Sequence, residues 1–146
     1  MSAFAIEPAE PGNPEVTEAI ARLLPLLSSS AAKPSDAEVD EIAASPATTL
    51  FIARDGEGGP IVGTLTLALF RIPTGIRAWI EDVIVSESVR GRGCGEELTN
   101  AALDAARRAG ARTVELTSRP SREAANRLYQ RLGFKARETN VYRYEL

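Results

Sequence analysis

The sequence predicts an α/β domain built on one mixed β-sheet (an α+β arrangement), antiparallel in its first part and parallel in its second, with flanking helices. Short apolar stretches separated by turns fill the first half of the chain, which is typical of antiparallel strands. In the second half, such stretches alternate with alanine-rich helical patterns, which is typical of parallel pairing. A chain of 146 residues with 44% hydrophobic and 25% charged side chains suits one domain over residues 1–146 with a single core.

The first half is predicted to follow the order β-α-α-β-β-β. Weak alternation stops at Pro8, which ends a short first strand, and an apolar period of helical spacing follows. Ser35 and Glu38 form a capping-box pattern that starts a second helix. The next three strands form a meander, and its middle strand places Leu65, Leu67 and Leu69 on one face. The predicted elements are strands at 3–6, 48–53, 61–70 and 77–85, and helices at 15–27 and 35–44.

The second half is predicted to add α-β-α-β. An alanine-rich helical stretch stops at Gly110, and a second helical stretch stops at Gly133; glycine commonly follows the last helical residue. Val141, Tyr142 and Tyr144 are residues that favour strands, so the end of the chain is predicted to be extended. The predicted elements are a helix at 96–109, a strand at 113–117, a helix at 121–132, and a final strand or strand pair within 134–146.

A loop with three glycines and two arginines separates the third meander strand from the next helix. Val83, Ile84 and Val85 end the strand, and the loop runs Arg90-Gly91-Arg92-Gly93-Cys94-Gly95 before Glu96 continues into the helix. Glycine lets backbone amides approach a ligand closely, and a helix N-terminus adds unpaired N–H groups with partial positive charge. The combination predicts a site for a phosphate-bearing ligand.

Composition and charge exclude several classes of function. The net charge of −3 hides an asymmetry: residues 1–80 hold ten acidic and five basic side chains, and residues 81–146 hold ten acidic and twelve basic ones. The half with the glycine loop therefore better suits a polyanion. The chain has no histidine, which removes the usual zinc sites and the Ser-His and Cys-His triads. Cys94 has no cysteine partner, and with no signal sequence or membrane span in the pattern we expect a cytoplasmic protein.

Two motifs in the second half resemble signatures of the GNAT family of N-acetyltransferases. The segment 90–95 fits the pattern Q/R-x-x-G-x-G/A, directly after a strand and at the start of a helix. Asn126 and Tyr129 stand shortly before Gly133-Phe134, which fits the second signature. The element order also fits, so the resemblance covers nearly the whole chain. It implies the GNAT acyl-CoA N-acyltransferase fold, acetyl-CoA as co-substrate, no metal, and direct transfer to a primary amine.

The resemblance assigns roles around acetyl-CoA. It implies that the strand before the loop pairs its backbone with the pantetheine arm, in a gap between two splayed parallel strands. Amides of the segment 91–96 would hold the pyrophosphate, and the two loop arginines would add positive charge. The residues implied in co-substrate binding are Val83, Ile84, Val85, Arg90, Gly91, Arg92, Gly93, Cys94, Gly95, Glu96 and Asn126.

Tyr129 is the implied acid of the reaction, since a phenol with a pKa near ~10 can protonate a departing thiolate in a dry site. A core aromatic is the alternative, because leucines flank it in the sequence. Asn126, one helical turn earlier, would touch the CoA arm or would otherwise be a surface amide. Cys94 is expected to pack at the helix start, although a helix N-terminus can lower the pKa of a thiol enough for a nucleophilic role.

The base that deprotonates the amine is expected in the strand before the loop, where the family often places an acid. Glu81 is the first candidate and Asp82 the second. Strict alternation puts Glu81 on the face of Val83 and Asp82 on the face of Ile84, unless a bulge intervenes.

The sequence therefore predicts an acetyl-CoA-dependent N-acetyltransferase that acts on a primary amine of a small molecule or a peptide. We expect a monomer or homodimer without a metal, nucleic-acid or membrane partner. Ser118 and Ser121 are polar candidates for lining the site, and the resemblance places much of the substrate side near residues 24–40. A non-catalytic acyl-CoA-binding or sensing module of the same fold is the alternative. A dinucleotide-binding oxidoreductase fits less well, because Glu96 stands where G-x-G-x-x-G requires its third glycine.

Overall fold

A single five-stranded sheet organises the protein, of which the computed structural model describes residues 2–146. The strands are β1 Phe4–Pro8, β2 Thr48–Asp55, β3 Ile61–Ile72, β4 Gly75–Val85 and β5 Val114–Glu115. The helices are α1 Pro14–Leu23, α2 Asp36–Ala44, α3 Cys94–Arg108 and α4 Glu123–Arg131. The strand order is β1-β2-β3-β4-β5, and neighbours are antiparallel except β4 and β5, which are parallel. The predicted mixed sheet with flanking helices is confirmed.

Side-chain caps start the first two helices, and that of the second helix is the predicted one. The Asn13 side chain accepts a hydrogen bond from the Glu15 N–H at 3.1 Å, and Pro14 takes the first helical position, where no N–H is required. At α2 the Glu38 N–H donates to Ser35 Oγ at 3.1 Å, and the Ser35 N–H donates to Glu38 Oε1 at 3.0 Å. The predicted capping box is therefore present.

Every helix differs from its predicted bounds by at least one residue; α4, for example, spans 123–131 instead of 121–132. Two of the differences have local backbone reasons. Helix α1 ends at Leu23 instead of residue 27, because Pro25 lacks an N–H and the chain tightens into a 3-10 turn at Leu24–Leu26. Helix α3 begins at Cys94 instead of residue 96, since Gly93 takes a left-handed φ of 87° and serves as its N-cap. Within residues 2–146, no helix has the length and apolarity that crossing a membrane requires.

A hydrophobic core covers each face of the sheet. Helix α3 packs over one face, and the leucines of β3 point toward it together, as predicted. Helices α1 and α2 cover part of the other face, over β2 and β3. The buried residues of the α3 core include Phe51, Ala53, Leu65, Leu67, Ala78, Ile80, Leu98, Ala102 and Ala106; those of the other core include Val16, Ala19, Val39, Leu50, Ile52 and Ile61.

Strand β4 carries a β-bulge near its end. Its ladder with β3 pairs Glu81 with Thr66 and then Ile84 with Thr64, so two residues of β4 oppose one residue of β3. Asp82, inside the bulge, has a positive φ of 50°, a conformation uncommon outside glycine. The extra residue shifts the alternation of every side chain that follows it.

Because of the bulge, the β4 side chains after Asp82 do not lie on the sheet faces predicted for them relative to Glu81. Val83 and Val85 pack against the α3 core, and Ile84 shares its sheet face with Glu81 through their β3 partners. The strict alternation that would place Glu81 beside Val83 is therefore wrong, and the bulge is the reason.

The end of the chain is not a strand in this structure. Residues 134–146 lack the predicted strand or strand pair, and β5 is two residues long instead of five. So short a β5 offers little backbone for a further strand to pair with, and Val141 and Tyr142 are 74% and 87% exposed. Two residues of this segment contact the rest of the protein. Phe134 packs against the α3 core, and Arg137 forms an ion pair with Glu115 at 3.0 Å.

Candidate active site

Three glycines shape the loop between β4 and α3, for two different reasons. Gly91 and Gly93 have φ values of 78° and 87°, in the left-handed region that disfavours other residues. Gly95 lies within α3, where an added Cβ would come within 3.3 Å of Leu128 Cδ2, so this glycine lets α4 approach closely. The loop thus delivers the first-turn N–H groups of α3, which have no partner within the helix, to the space beside α4.

An open groove of about 820 Å³ lies between this loop and α4. It gathers most of the residues predicted for co-substrate binding: Val83, Val85, Arg90, Gly91, Gly93, Cys94, Gly95 and Glu96 all line it. Tyr129 and Ser121 line it as well. One wall is the end of β4 with the glycine loop, and the other is α4 with the residues that precede it.

Three further arginines line the groove that sequence reasoning missed. They are Arg122, Arg127 and Arg131, from the start and the body of α4, and they line the groove together with Arg90. The last two are four residues apart and so share one helix face. That spacing, in the more basic half of the chain, was the signal available in the sequence. Together with the loop amides, they make the groove a cationic environment interrupted by Glu96 and Glu123.

Arg92 lies outside the groove, contrary to its predicted place beside the phosphates. Its guanidinium donates to Asp55 at 2.9 Å and 3.3 Å and lies 5.0 Å from the centre of the Phe4 ring. The hydrogen bonds from Arg92 hold the pKa of the Asp55 carboxyl below its usual value. Next to it in space, the Ser2 hydroxyl contacts Glu97 in the first turn of α3. Arg92 therefore ties the loop to β1 and to the end of β2.

Ile84 and Asn126 also lie away from the groove. Ile84 is buried on the opposite face of β4, as the bulge requires. Asn126 Nδ2 donates to the carbonyl oxygens of Arg119 and Arg122, each at 2.9 Å, and so holds the turn that precedes α4. Its side chain faces a second cavity of about 680 Å³ beside β5.

Strands β4 and β5 part next to the groove. Their ladder consists of Ala78 with Val114 and Trp79 with Glu115. Beyond it β4 continues to Val85, and no strand of the described chain pairs with that edge of residues 80–85. An unpaired strand edge offers N–H and C=O groups to another extended chain.

Tyr129 stands where the two cavities meet. It is 7% exposed, packs edge-on against Phe134 with ring centroids 5.7 Å apart, and lines both the groove and the second cavity. Burial raises the pKa of the Tyr129 phenol above its usual value, with Arg122 opposing the shift. The hydroxyl therefore holds its proton at neutral pH, as a proton donor must.

Glu81 lies outside both cavities, on the sheet face opposite the α3 core. The Glu81 side chain is exposed overall, but partial desolvation raises the pKa of its carboxyl above the usual glutamate value, and the negative charge of Asp82 adds to the shift. A carboxylate with a raised pKa is a better proton acceptor than an ordinary one.

Cys94 is a packing residue in this geometry. It is 2% exposed, and its Sγ is one of the two nearest atoms that a side chain at Gly63 in β3 would meet. Burial raises the pKa of the thiol to about 12, with Glu97 adding to the shift, so the thiolate is scarce at neutral pH. In residues 2–146 no cluster of three His, Cys, Asp or Glu side chains could hold a metal ion.

The five-stranded sheet, with β4 and β5 parting beside a glycine loop, defines the class of protein as one with the GNAT fold. The family comparison agrees: the model of the acetyltransferase (GNAT) family matches residues 17–134. The chain belongs to this family.

Individual relatives are similar over different lengths. The N-alpha-acetyltransferase 30 of Schizosaccharomyces pombe is 37% identical over 73 residues, which are 50% of this chain and 48% of that protein. A transcriptional regulator from Bacillus halodurans C-125 is 27% identical, with a TM-score of 0.81 over 97% of this chain and 99% of the other. An acetyltransferase of Trypanosoma brucei is 26% identical, with a TM-score of 0.76 over 98% and 99% of the two chains.

Proposed function

We propose that the protein is an acetyl-CoA-dependent N-acetyltransferase that transfers the acetyl group directly to a primary amine of a small molecule or a peptide, in the cytoplasm. One observation carries the proposal: the groove brings together the glycine loop, the unpaired edge of β4 and the phenol of Tyr129. Those are an anion site, a hydrogen-bonding edge for an extended arm and a proton donor, in that order along one surface.

Acetyl-CoA would lie along the groove with its pyrophosphate at the glycine loop. The first-turn amides of α3 and the helix dipole would bind the phosphate oxygens. Arg90, Arg122 and Arg127 would neutralise the charge of the phosphates, in the role first expected for Arg92. The pantetheine arm would then pair with the free edge of residues 80–85, which points the thioester toward Tyr129.

The reaction would proceed by direct attack. A base removes one proton from the acceptor ammonium; Glu81, acting through water because it is outside the cavities, is our candidate. The neutral nitrogen attacks the thioester carbon, the C–S bond of the tetrahedral intermediate breaks, and Tyr129 protonates the departing thiolate. The amide nitrogen loses its extra proton to water, and exchange with solvent then returns a proton to Tyr129 and removes one from Glu81, so that one proton is released per turnover. Positioning of the two substrates and the proton transfers would supply most of the rate.

The acceptor would approach through the second cavity, which shares Tyr129 with the donor groove. The similarity to a protein named N-alpha-acetyltransferase 30 makes a peptide with a free N-terminus the first acceptor to try. Spermidine and the aminoglycoside kanamycin represent small-molecule amines.

Calorimetry with acetyl-CoA, followed by a CoA thiol-release assay with these three amines, tests the proposal. We expect saturable binding of acetyl-CoA and amine-dependent release of thiol. A chain that fails to bind acetyl-CoA at millimolar concentration would contradict the proposal entirely.

A non-catalytic acyl-CoA sensor is the second candidate, and the similarity to a transcriptional regulator favours it. The same two measurements separate the candidates. A sensor binds acetyl-CoA but releases no thiol with any amine, whereas the enzyme does both.

A further inference from the structure

Ser118 differs from the other buried polar side chains of the protein. Its Oγ is the one buried side-chain nitrogen or oxygen in residues 2–146 that has no hydrogen-bond partner. The hydroxyl of Thr99, by contrast, donates to the Gly95 carbonyl at 2.7 Å, and that of Thr48 donates to the Ile42 carbonyl at 2.7 Å. A buried hydroxyl without a partner is costly, so such a group in a folded protein calls for an explanation.

The position of Ser118 supplies one. The residue follows β5, where the chain turns toward α4, and it lines the second cavity together with Tyr129. It does not line the groove with the glycine loop; Ser121, three residues later, lines that groove instead. The unpartnered hydroxyl therefore lies on the acceptor side of Tyr129, whereas Ser121 lies on the donor side.

We propose that Ser118 binds the attacking nitrogen of the acceptor amine, an assignment that rests on the proposed function. A serine hydroxyl has two lone pairs, and a neutral primary amine has two N–H groups and one lone pair. If one N–H donates to Ser118 Oγ, the nitrogen lone pair turns toward the thioester carbon and the second N–H remains to be lost after attack. This arrangement favours primary amines over N-methylated ones.

A structural role for the hydroxyl makes a different prediction. A hydroxyl that supports the fold has a partner, and its removal lowers stability. A hydroxyl kept free for a substrate has none, so Ser118→Ala should leave the melting temperature unchanged or raise it. Stability and amine recognition thus separate the two roles.

The experiment compares Ser118→Ala with the wild type and with Ser121→Ala as the matched control. The acceptor is whichever of a free-amine hexapeptide, spermidine and kanamycin the wild type acetylates fastest, paired with its N-methyl derivative. We expect Ser118→Ala to lower kcat/KM for the primary amine by about tenfold, the loss of one hydrogen bond between neutral groups, with KM for acetyl-CoA unchanged. Its preference for the primary over the N-methyl amine should shrink, and Ser121→Ala should keep that preference.

Two results would overturn the assignment. One is an unchanged kcat/KM for the amine in Ser118→Ala, and the other is a lowered melting temperature with an unchanged preference for the primary amine. Should the alanine variant fold poorly, Ser118→Cys keeps the shape with a weak acceptor and is expected to show the same loss. A wild type that acetylates none of the three amines overturns the proposed function and this assignment together, whereas an active wild type with an unaffected Ser118→Ala overturns only the assignment.

Discussion

An alanine at position 63 would place a methyl group in the tightly packed contact between the sheet and the first turn of α3. Gly63 lies in β3, opposite Val85, and a Cβ there would come within 3.0 Å of Cys94 Sγ, 3.0 Å of Leu98 Cδ1 and 3.2 Å of the Ile84 carbonyl oxygen. Leu98 and Cys94 are buried, and the carbonyl belongs to a paired strand, so none of the three can move freely.

The expected cost follows from these contacts. Overpacking a core by one methyl group typically costs about 1–3 kcal/mol. Replacing glycine by alanine in an allowed conformation returns roughly 0.4–1 kcal/mol by restricting the unfolded chain. The net loss in the free energy of unfolding is therefore about 0–2.6 kcal/mol. Because none of the three contacting atoms can move freely, we expect Gly63→Ala to fall in the upper half of this range, at about 1.3–2.6 kcal/mol, which for a chain of this size lowers the melting temperature by roughly 3–10 °C.

Urea denaturation of four proteins checks the reasoning: wild type, Gly63→Ala, Cys94→Ala and the double variant. Cys94→Ala removes one of the two closest atoms, so the double variant should be more stable than the sum of the single effects predicts, by about 0.5–1.5 kcal/mol. Acetyl-CoA affinity should fall in Gly63→Ala, because the added methyl group displaces the first turn of α3, whose amides face the groove. A Gly63→Ala protein as stable as the wild type, or a double variant with purely additive effects, would refute the argument.

Three further predictions concern the chemistry of the site. Tyr129→Phe should lower kcat by about a hundredfold while acetyl-CoA affinity, measured by calorimetry, stays the same; an unchanged kcat rules out the phenol as proton donor. Because partial desolvation raises the pKa of Glu81, kcat/KM for the amine should fall as the pH drops through that raised pKa and the base takes up a proton. Glu81→Gln should be slow and should lose this fall in kcat/KM at acidic pH. If the variant keeps it, Glu81 is not the base. Arg90→Ala should weaken acetyl-CoA binding and reduce its dependence on salt, whereas Arg92→Ala, whose side chain binds Asp55 outside the groove, should leave the salt dependence unchanged in the same titration.

Much of the fold was accessible from the sequence because it depends on local chemistry. The capping box at Ser35, the glycine at the start of α3 and the alternating leucines of β3 each act within a few residues of chain. Those signals set the order of elements and placed the glycine loop between a strand and a helix. The groove follows from that placement, which is why most of the predicted lining residues meet there.

The errors arise where distant contacts decide the outcome. Arg92 looks like a phosphate ligand in the loop, but Asp55 and the Phe4 ring come to it across the sheet edge, and no local pattern records that pairing. The bulge at Asp82 depends on the register with β3, so alternation alone misassigned the face of Glu81. Arg127 belongs to the groove only because Gly95 lets α4 approach the loop.

The tie between the loop and the first strand has a practical consequence for handling the protein. The Phe4 ring packs against the Arg92 guanidinium, and Ser2 contacts Glu97. Residues 2–4 therefore help to hold the glycine loop and the first turn of α3 in place. Extra residues inserted directly before Ser2 would lie beside the first turn of α3, and we expect them to lower acetyl-CoA affinity without contacting the ligand. Tyr142 and Tyr144, near the other end, project into solvent far from any core. An affinity tag attached there would leave the contacts of Ser2 and Phe4 unchanged.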